Sequence, residues 1–201
     1  ETIFLPFHSL PFLAGFVLHN RGGGNLAKAQ SYQLVTSTAE LVSGDKYLIV
    51  AFTKDYSKAL GTTQKTNNRA AVDITFDDGN ISTVPADACV LELKLQDDGT
   101  WAFYDALKGG YLYAASKSDN HLKTQTTLDA NGKADITITD GVATIKFQGA
   151  NTHNWLRYNT SGLFSCYGAD NTQKDVYLYH YVVPTGTTDP NISYSSSSFT
   201  I

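Results

Sequence analysis

Short β-rich runs separated by turn signals fill the chain from Ser31 onward, and this pattern limits the possible folds more than any other feature. Runs such as KYLIVAF, WLRYN and VYLYHYV alternate with Asp-Gly or Asn-Gly pairs, which are strong signals for tight β-turns. No amphipathic segment of helix length lies between the runs, so a parallel α/β sheet is excluded. The sequence therefore predicts an all-β domain.

A weak threefold repetition makes this prediction more specific. Tyr47-Leu48, Tyr111-Leu112 and Trp155-Leu156 each begin a predicted strand, and a polar turn and a second apolar pair follow each of them. Hairpins precede the second and third copies, and the first copy carries an insertion around residues 61–82. Three four-stranded units predict a β-trefoil-like closed barrel, with a Greek-key β-sandwich as the alternative.

The two ends of the chain differ from this domain. Residues 1–30 are apolar and then glycine-rich, without the basic start of a signal peptide or the uninterrupted apolar run of a membrane span. This segment is interpreted as a processing remnant or an added leader, or as a peptide that docks through residues 3–18. The predicted domain covers residues 31–183, and the Ser/Thr/Pro-rich residues 184–201 resemble a linker to a possible further domain.

Charge and motifs argue against several classes of function. The net charge of -4 comes without clustered Lys or Arg, so no nucleic-acid partner is expected. The five histidines lack metal-ligand spacing, and no nucleophile elbow, phosphate loop or dinucleotide fingerprint occurs. We therefore expect no catalysis, no cofactor and no metal. Residues 129–135 space oxygen atoms somewhat like a calcium loop, but an Asn-Gly hairpin is the preferred interpretation.

The two cysteines, Cys89 and Cys166, lie too far apart in sequence for a CxxC redox motif or a zinc-ribbon spacing. Both stand in β-rich runs, where a thiol often packs as a small apolar side chain. A free buried pair is preferred, and a single disulfide is the alternative.

The segment NTHNWLRYN, residues 151–159, combines the two kinds of side chain that protein sites for sugars use. Its aromatic ring could stack on a sugar, and its polar groups could bond hydroxyls. Strand alternation places Leu156 and Tyr158 on the face opposite Trp155. The competing interpretation is that Trp155 packs in the core, because it occupies a repeated position. The ricin-type Gln-x-Trp signature is missing. The candidate ligand-binding residues are His153, Asn154, Trp155, Arg157 and Asn159.

The phrases LVSGDKYLIVA, GGYLYAASKSDNHLKT, NWLRYNTSGLFSCY and DVYLYHYV carry a family resemblance. Over residues 31–183 the chain resembles an accessory all-β module of secreted multidomain proteins from gut-type Gram-negative bacteria. The resemblance implies a secreted or cell-surface location and transfers no catalytic residue. The predicted function is a noncatalytic module that binds a glycan or another surface ligand. A structural spacer or protein-docking module is the alternative.

Overall fold

A computed structural model describes residues 31–183. The apolar segment 1–30, with its docking candidate at residues 3–18, and the linker 184–201 lie outside the described residues. Thirteen β-strands and one short 3-10 helix make up the regular structure of the described part, which confirms the all-β prediction. None of its helices is long and apolar enough to cross a membrane.

The strands follow the predicted β-rich runs closely. Four of them coincide with the runs KYLIVAF, WLRYN, LFSCY and VYLYHYV, and the second strand within GGYLYAASKSDNHLKT begins at Leu122. In chain order the strands are β1 (Ser31–Leu34), β2 (Lys46–Phe52), β3 (Ser57–Gln64), β4 (Arg69–Asp73), β5 (Leu91–Leu95), β6 (Trp101–Asp105), β7 (Gly110–Ala114), β8 (Leu122–Gln125), β9 (Ala134–Thr139), β10 (Val142–Phe147), β11 (Trp155–Asn159), β12 (Leu163–Tyr167) and β13 (Val176–Val182).

All thirteen strands join one antiparallel sheet, not the two separate sheets that a sandwich stacks face to face. Strand β2 pairs with β5 and β13, β6 pairs with β5 and β9, and β10 pairs with β9 and β13. The contacts are uneven, because β9 and β10 pair along their whole length whereas β6 meets β9 only at Trp101 and Ala134. Three further hairpins, β3–β4, β7–β8 and β11–β12, extend from these six strands.

Turn chemistry explains several of the strand reversals. Asp140 and Gly141 join β9 to β10 with φ of 50° and 82°, a left-handed backbone that Asp and Gly tolerate better than most residues. The Asn131-Gly132 pair behaves differently, since it lies between β8 and β9, which do not pair. The Asn-Gly hairpin interpretation is therefore wrong. The turn depends instead on Asp129, whose Oδ1 accepts a 2.9 Å hydrogen bond from the Asn131 amide.

The second and third copies of the predicted repetition fall on corresponding strands, whereas the first copy was matched wrongly. Tyr111 and Trp155 start or nearly start the hairpin strands β7 and β11, whereas Tyr47 lies in β2. Strand pairing identifies Ala59-Leu60 of β3 as the first counterpart. An alanine replaces the aromatic residue there, so matching by residue type selected the wrong pair. The leucines that follow are all fully buried: Leu60, Leu112 and Leu156.

Two apolar clusters hold the sheet together, and β2 contributes to both. Tyr47 and Ile49 pack in the larger cluster, while Leu48 and Val50 pack in the smaller one on the opposite face. A strand covered on both faces requires a continuous apolar run, which KYLIVAF supplies. The smaller cluster is completed by the connection 74–90 and by β1. The first-copy insertion therefore lies at residues 74–90, because much of the predicted range 61–82 forms β3 and β4.

Both cysteines are free and buried, which confirms the preferred interpretation. Burial raises the pKa of Cys89 to about 12 and also raises the pKa of Cys166. Because the thiolate is the reactive form, both thiols are expected to be inert in the native protein.

We expect the smaller cluster to make folding sensitive to alkali. Burial raises the pKa of Tyr32 and of Tyr179 to about 12, with smaller contributions from Tyr181 and Tyr177 respectively. These side chains stabilise the fold fully below the unfolded pKa of about 10, and the contribution is lost as pH rises towards 12. At about pH 11 the loss should be roughly 1 kcal/mol per tyrosine.

Urea unfolding of the wild type and of Tyr32→Phe and Tyr179→Phe at neutral and alkaline pH measures this loss. Each phenylalanine variant should show a shallower alkaline decline than the wild type. An equally steep decline in both variants would contradict the assignment to these two tyrosines.

Candidate functional site

Strand β11 presents the predicted site residues with the expected alternation. Leu156 and Tyr158 are buried, whereas Trp155, Arg157 and Asn159 are partly exposed. The indole of Trp155 is thus not enclosed in the core. The alternation follows from the period of two along a strand, with the buried leucine and tyrosine fixing which face is inward.

Trp155 lines a shallow surface cavity of about 290 Å³. Two cationic groups lie near its ring: the Arg157 guanidinium carbon is 5.5 Å from the ring centre, and Lys146 Nζ is 5.8 Å from it. Burial lowers the pKa of Arg157, and Asp175 opposes this effect. An arginine nevertheless remains protonated in proteins. The arrangement combines an aromatic surface with two strong hydrogen-bond donors.

The far wall of this cavity is the loop 149–152, which hydrogen bonds fix to the second hairpin region. Asn151 Nδ2 donates to the Ala114 carbonyl at 2.7 Å, and Thr152 Oγ1 donates to the Lys117 carbonyl at 2.6 Å. Sequence reasoning missed Lys146 and Thr152 as lining residues. Lys146 pairs with Trp155 across β10 and β11, and a correct alignment of these two strands would have identified it.

Asn159, one of the predicted ligand-binding residues, is committed to the β11–β12 turn. Its Nδ2 donates to the Tyr167 hydroxyl at 2.9 Å, and its Oδ1 accepts from the amides of Ser161 and Leu163, both at 3.1 Å. Such a side chain closes the hairpin by satisfying turn amides, as Asn commonly does. It does not line the Trp155 cavity.

Asn154 and His153 also have partners within the protein. Asn154 is buried and lines the cavity, but its Nδ2 donates to the Phe147 carbonyl at 2.6 Å. His153 is partly exposed, and its Nδ1 lies 2.8 Å from Asn120 Oδ1. The structure thus brings Trp155 and Arg157 together at the surface, while both asparagines serve the local fold. No group of three His, Cys, Asp or Glu that could hold a metal ion occurs within residues 31–183.

A second surface feature is an apolar groove of about 420 Å³ on another part of the domain. Leu107 in this groove is 73% exposed, the largest exposed fraction among the large apolar side chains of residues 31–183. The connection 74–90 supplies most of the opposite wall. The lining residues are Gly44, Lys46, Val84, Pro85, Ala86, Ala88, Val90, Glu92, Ala106 and Leu107.

A fully buried ion pair joins the first and second hairpin regions. Arg69 Nη2 on β4 donates to Asp105 Oδ2 at the end of β6, at 2.9 Å. The remaining guanidinium groups donate to the Gly61 carbonyl at 3.1 Å and to Thr124 Oγ1 at 3.0 Å. Asp105 Oδ1 accepts from the amides of the following turn. Since both charges are hydrogen-bonded, their burial is compensated.

We expect Arg69→Met to destabilise the protein by about 3–5 kcal/mol, because Asp105 would keep a buried charge without its partner. Replacing both residues, as Arg69→Met with Asp105→Asn, should cost less than the single substitution. The neutral amide oxygen still accepts the two turn amides. Urea unfolding followed by tryptophan fluorescence measures both values, and a loss below about 1 kcal/mol for Arg69→Met would refute the assigned role.

The chain matches no protein-family model and no curated protein sequence. A solved structure with a similar fold is the GlcNAcα1-4Gal releasing endo-β-galactosidase from Clostridium perfringens, with a TM-score of 0.50 and 13% sequence identity. The match covers 68% of this chain and 32% of that chain, so the present chain corresponds to about a third of that protein. At this identity the similarity concerns the fold alone.

Proposed function

We propose that this chain is a noncatalytic binding module of β-trefoil type that recognises a glycan through Trp155. The observation that carries the proposal is the partly exposed indole beside a cavity, with Arg157 and Lys146 near its ring. An aromatic ring can cover the apolar C–H face of a sugar, and adjacent cations can donate hydrogen bonds to its hydroxyl oxygens. The three side chains supply both functions within one site.

Strand pairing supports the trefoil architecture. Strands β2, β5, β6, β9, β10 and β13 each have two neighbours within that set, an arrangement that would close a six-stranded barrel. The hairpins β3–β4, β7–β8 and β11–β12 follow β2, β6 and β10 in the same way. Closure would leave these six strands without free edges. The Trp155 site then belongs to the third of three related units.

The setting we propose is a secreted or cell-surface protein in which this module has an accessory role. The family resemblance of the sequence supports this setting. The fold similarity to part of an endo-β-galactosidase supports a link to carbohydrates, because that protein is by its name a galactoside-cleaving enzyme. An accessory glycan-binding module would hold such a protein near its substrate and raise the effective concentration.

Trp155→Ala is expected to weaken glycan binding without unfolding the domain, because the partly exposed indole contributes little to the core. A glycan array probed with the full chain identifies the ligand, and titration with that ligand gives the loss for the variant. Removing one stacking ring should weaken binding by about tenfold or more, in keeping with roughly 0.5–1.5 kcal/mol for ring contacts plus lost area burial.

Tyr111→Ala is the matched control, since Tyr111 stands at the equivalent position of β7. It should retain binding, and circular dichroism should show both variants folded. Unchanged affinity in folded Trp155→Ala would refute the proposed site. Absence of binding to any glycan on the array by the folded wild type would refute the glycan proposal.

A docking function is the second candidate, and the apolar groove around Leu107 supports it. The adjoining cavity shares Gly44 and Lys46 with the groove and extends to Val182, the strand partner of Ser31. The chain therefore enters the described domain beside these cavities. We infer that the apolar residues 3–18 are the occupant of the groove. Residues 19–30, which join this segment to Ser31, could span roughly 40 Å when extended. That length is enough for the segment to lie in the groove.

Alkylation of an introduced cysteine tests this occupancy in the full chain, because the two native thiols are buried. If residues 3–18 cover the groove, Leu107→Cys should react slowly, at least about tenfold more slowly than Val42→Cys, an exposed position outside it. Changing Phe4, Phe7 and Phe12 to Asp should restore fast reaction. Equal rates for the two introduced cysteines in the otherwise unchanged chain would refute the docking of this segment.

A further inference from the structure

A cavity of about 300 Å³, lined by residues with polar side chains, lies at the second hairpin, apart from the Trp155 site. It combines two ammonium groups with side-chain hydroxyls and amides, and it contains no carboxylate among its lining residues. These residues are Gln64, Lys108, Lys123, Thr124, Gln125 and Thr126.

The two lysines of this cavity have no ion-pair partner among the described residues. The side chains of Lys54, Lys58, Lys94 and Lys133 all lie within 4 Å of a carboxylate, whereas those of Lys108 and Lys123 do not. Several other lysines of residues 31–183 also lack an ion pair, but these two line one cavity together with no carboxylate, in a chain whose net charge is negative. At a separation below the Debye length, about 8 Å at physiological salt, such local charges outweigh distant ones.

The buried Arg69–Asp105 pair holds two walls of the cavity in place. Asp105 Oδ1 accepts the Lys108 amide at 3.2 Å, which fixes the turn that carries this lysine. Arg69 Nη1 donates to Thr124 Oγ1 at 3.0 Å, beside Lys123 on β8. The cavity is thus supported by a fully buried network, and little ordering is needed when a ligand binds.

Gln64 provides a third wall and leaves one acceptor without a donor. Its Nε2 donates to the carbonyls of Lys65, Asn68 and Leu122, at 2.9, 3.0 and 3.2 Å. Its Oε1 is buried and has no hydrogen-bond partner within the described part of the chain. An unpaired buried acceptor costs free energy, so a ligand hydroxyl that donated to this oxygen would recover part of that cost.

We propose that this cavity binds an acidic saccharide residue. The carboxylate or sulfate ester of the sugar lies at Lys108 and Lys123, and its hydroxyls bond the threonine hydroxyls and donate to the glutamine amide oxygens. The contacts are charge-assisted on one side of the ligand and neutral on the other, which suits a sugar carrying one anionic group. This site does not depend on the function proposed for Trp155.

Amide NMR titration of the full chain at low salt tests the proposal with four probes: glucuronic acid, galactose 6-sulfate, galactose and inorganic sulfate. One or both acidic sugars should shift the amides of Lys108 and of residues 123–126. Galactose and inorganic sulfate should bind at least about fivefold more weakly, since each lacks one half of the recognised chemistry. The acid that binds better identifies the anionic group.

The combined variant Lys108→Gln and Lys123→Gln should weaken binding by about tenfold, given up to roughly 1 kcal/mol for each exposed charge pair. Lys174→Gln removes the same charge away from the cavity and should leave the affinity unchanged. Trp155→Ala should also leave it unchanged, which separates this site from the other. Equal binding of galactose, equal binding of inorganic sulfate, or full affinity in the double variant would each overturn the proposal.

Discussion

The buried ion pair between Arg69 and Asp105 is the interaction on which the arrangement of the first two hairpin regions depends. Both side chains are almost completely removed from solvent, so each charge requires the other. The guanidinium also bonds the backbone of β3 and the side chain of Thr124 on β8. A single arginine therefore connects strands that are distant in sequence, and its fork of donors requires one relative placement of them.

The apolar clusters provide most of the remaining stability and explain why the first unit differs from the others. Strand β2 is buried on both faces, because β1 and the connection 74–90 cover the side that does not face the larger cluster. Burial of apolar area is the dominant favourable term in folding. The extra connection also forms one wall of the groove around Leu107, so the same insertion that enlarges the core creates an exposed apolar surface.

The candidate sites show how local hydrogen bonding limits which polar residues can serve a ligand. Asn154 and Asn159 are of a residue type that sugar sites use, yet both side chains already have partners. Asn154 donates to the Phe147 carbonyl, and Asn159 holds the β11–β12 turn. Trp155 and Arg157 share a strand face and retain exposed surface. The fold brings together Lys108 from the β6–β7 turn and Lys123 from β8, and no short sequence pattern joins them.

The sequence by itself determined the all-β class, most strand positions and the inward and outward faces of β11. These properties depend on local signals: alternating apolar residues, β-branched and aromatic runs, and Asp-Gly turns. The free state of Cys89 and Cys166 was also predicted, because their apolar neighbours indicated burial.

Only the tertiary structure decided which residues are equivalent between the units, where the insertion lies and which polar groups are already bonded. Ala59 replaces an aromatic residue at its position, so identity could not reveal the equivalence that strand pairing shows. Partners such as Asn151 and Ala114, or Arg69 and Asp105, are fixed by long-range packing. These depend on contacts between segments far apart in the chain, which local sequence patterns do not encode.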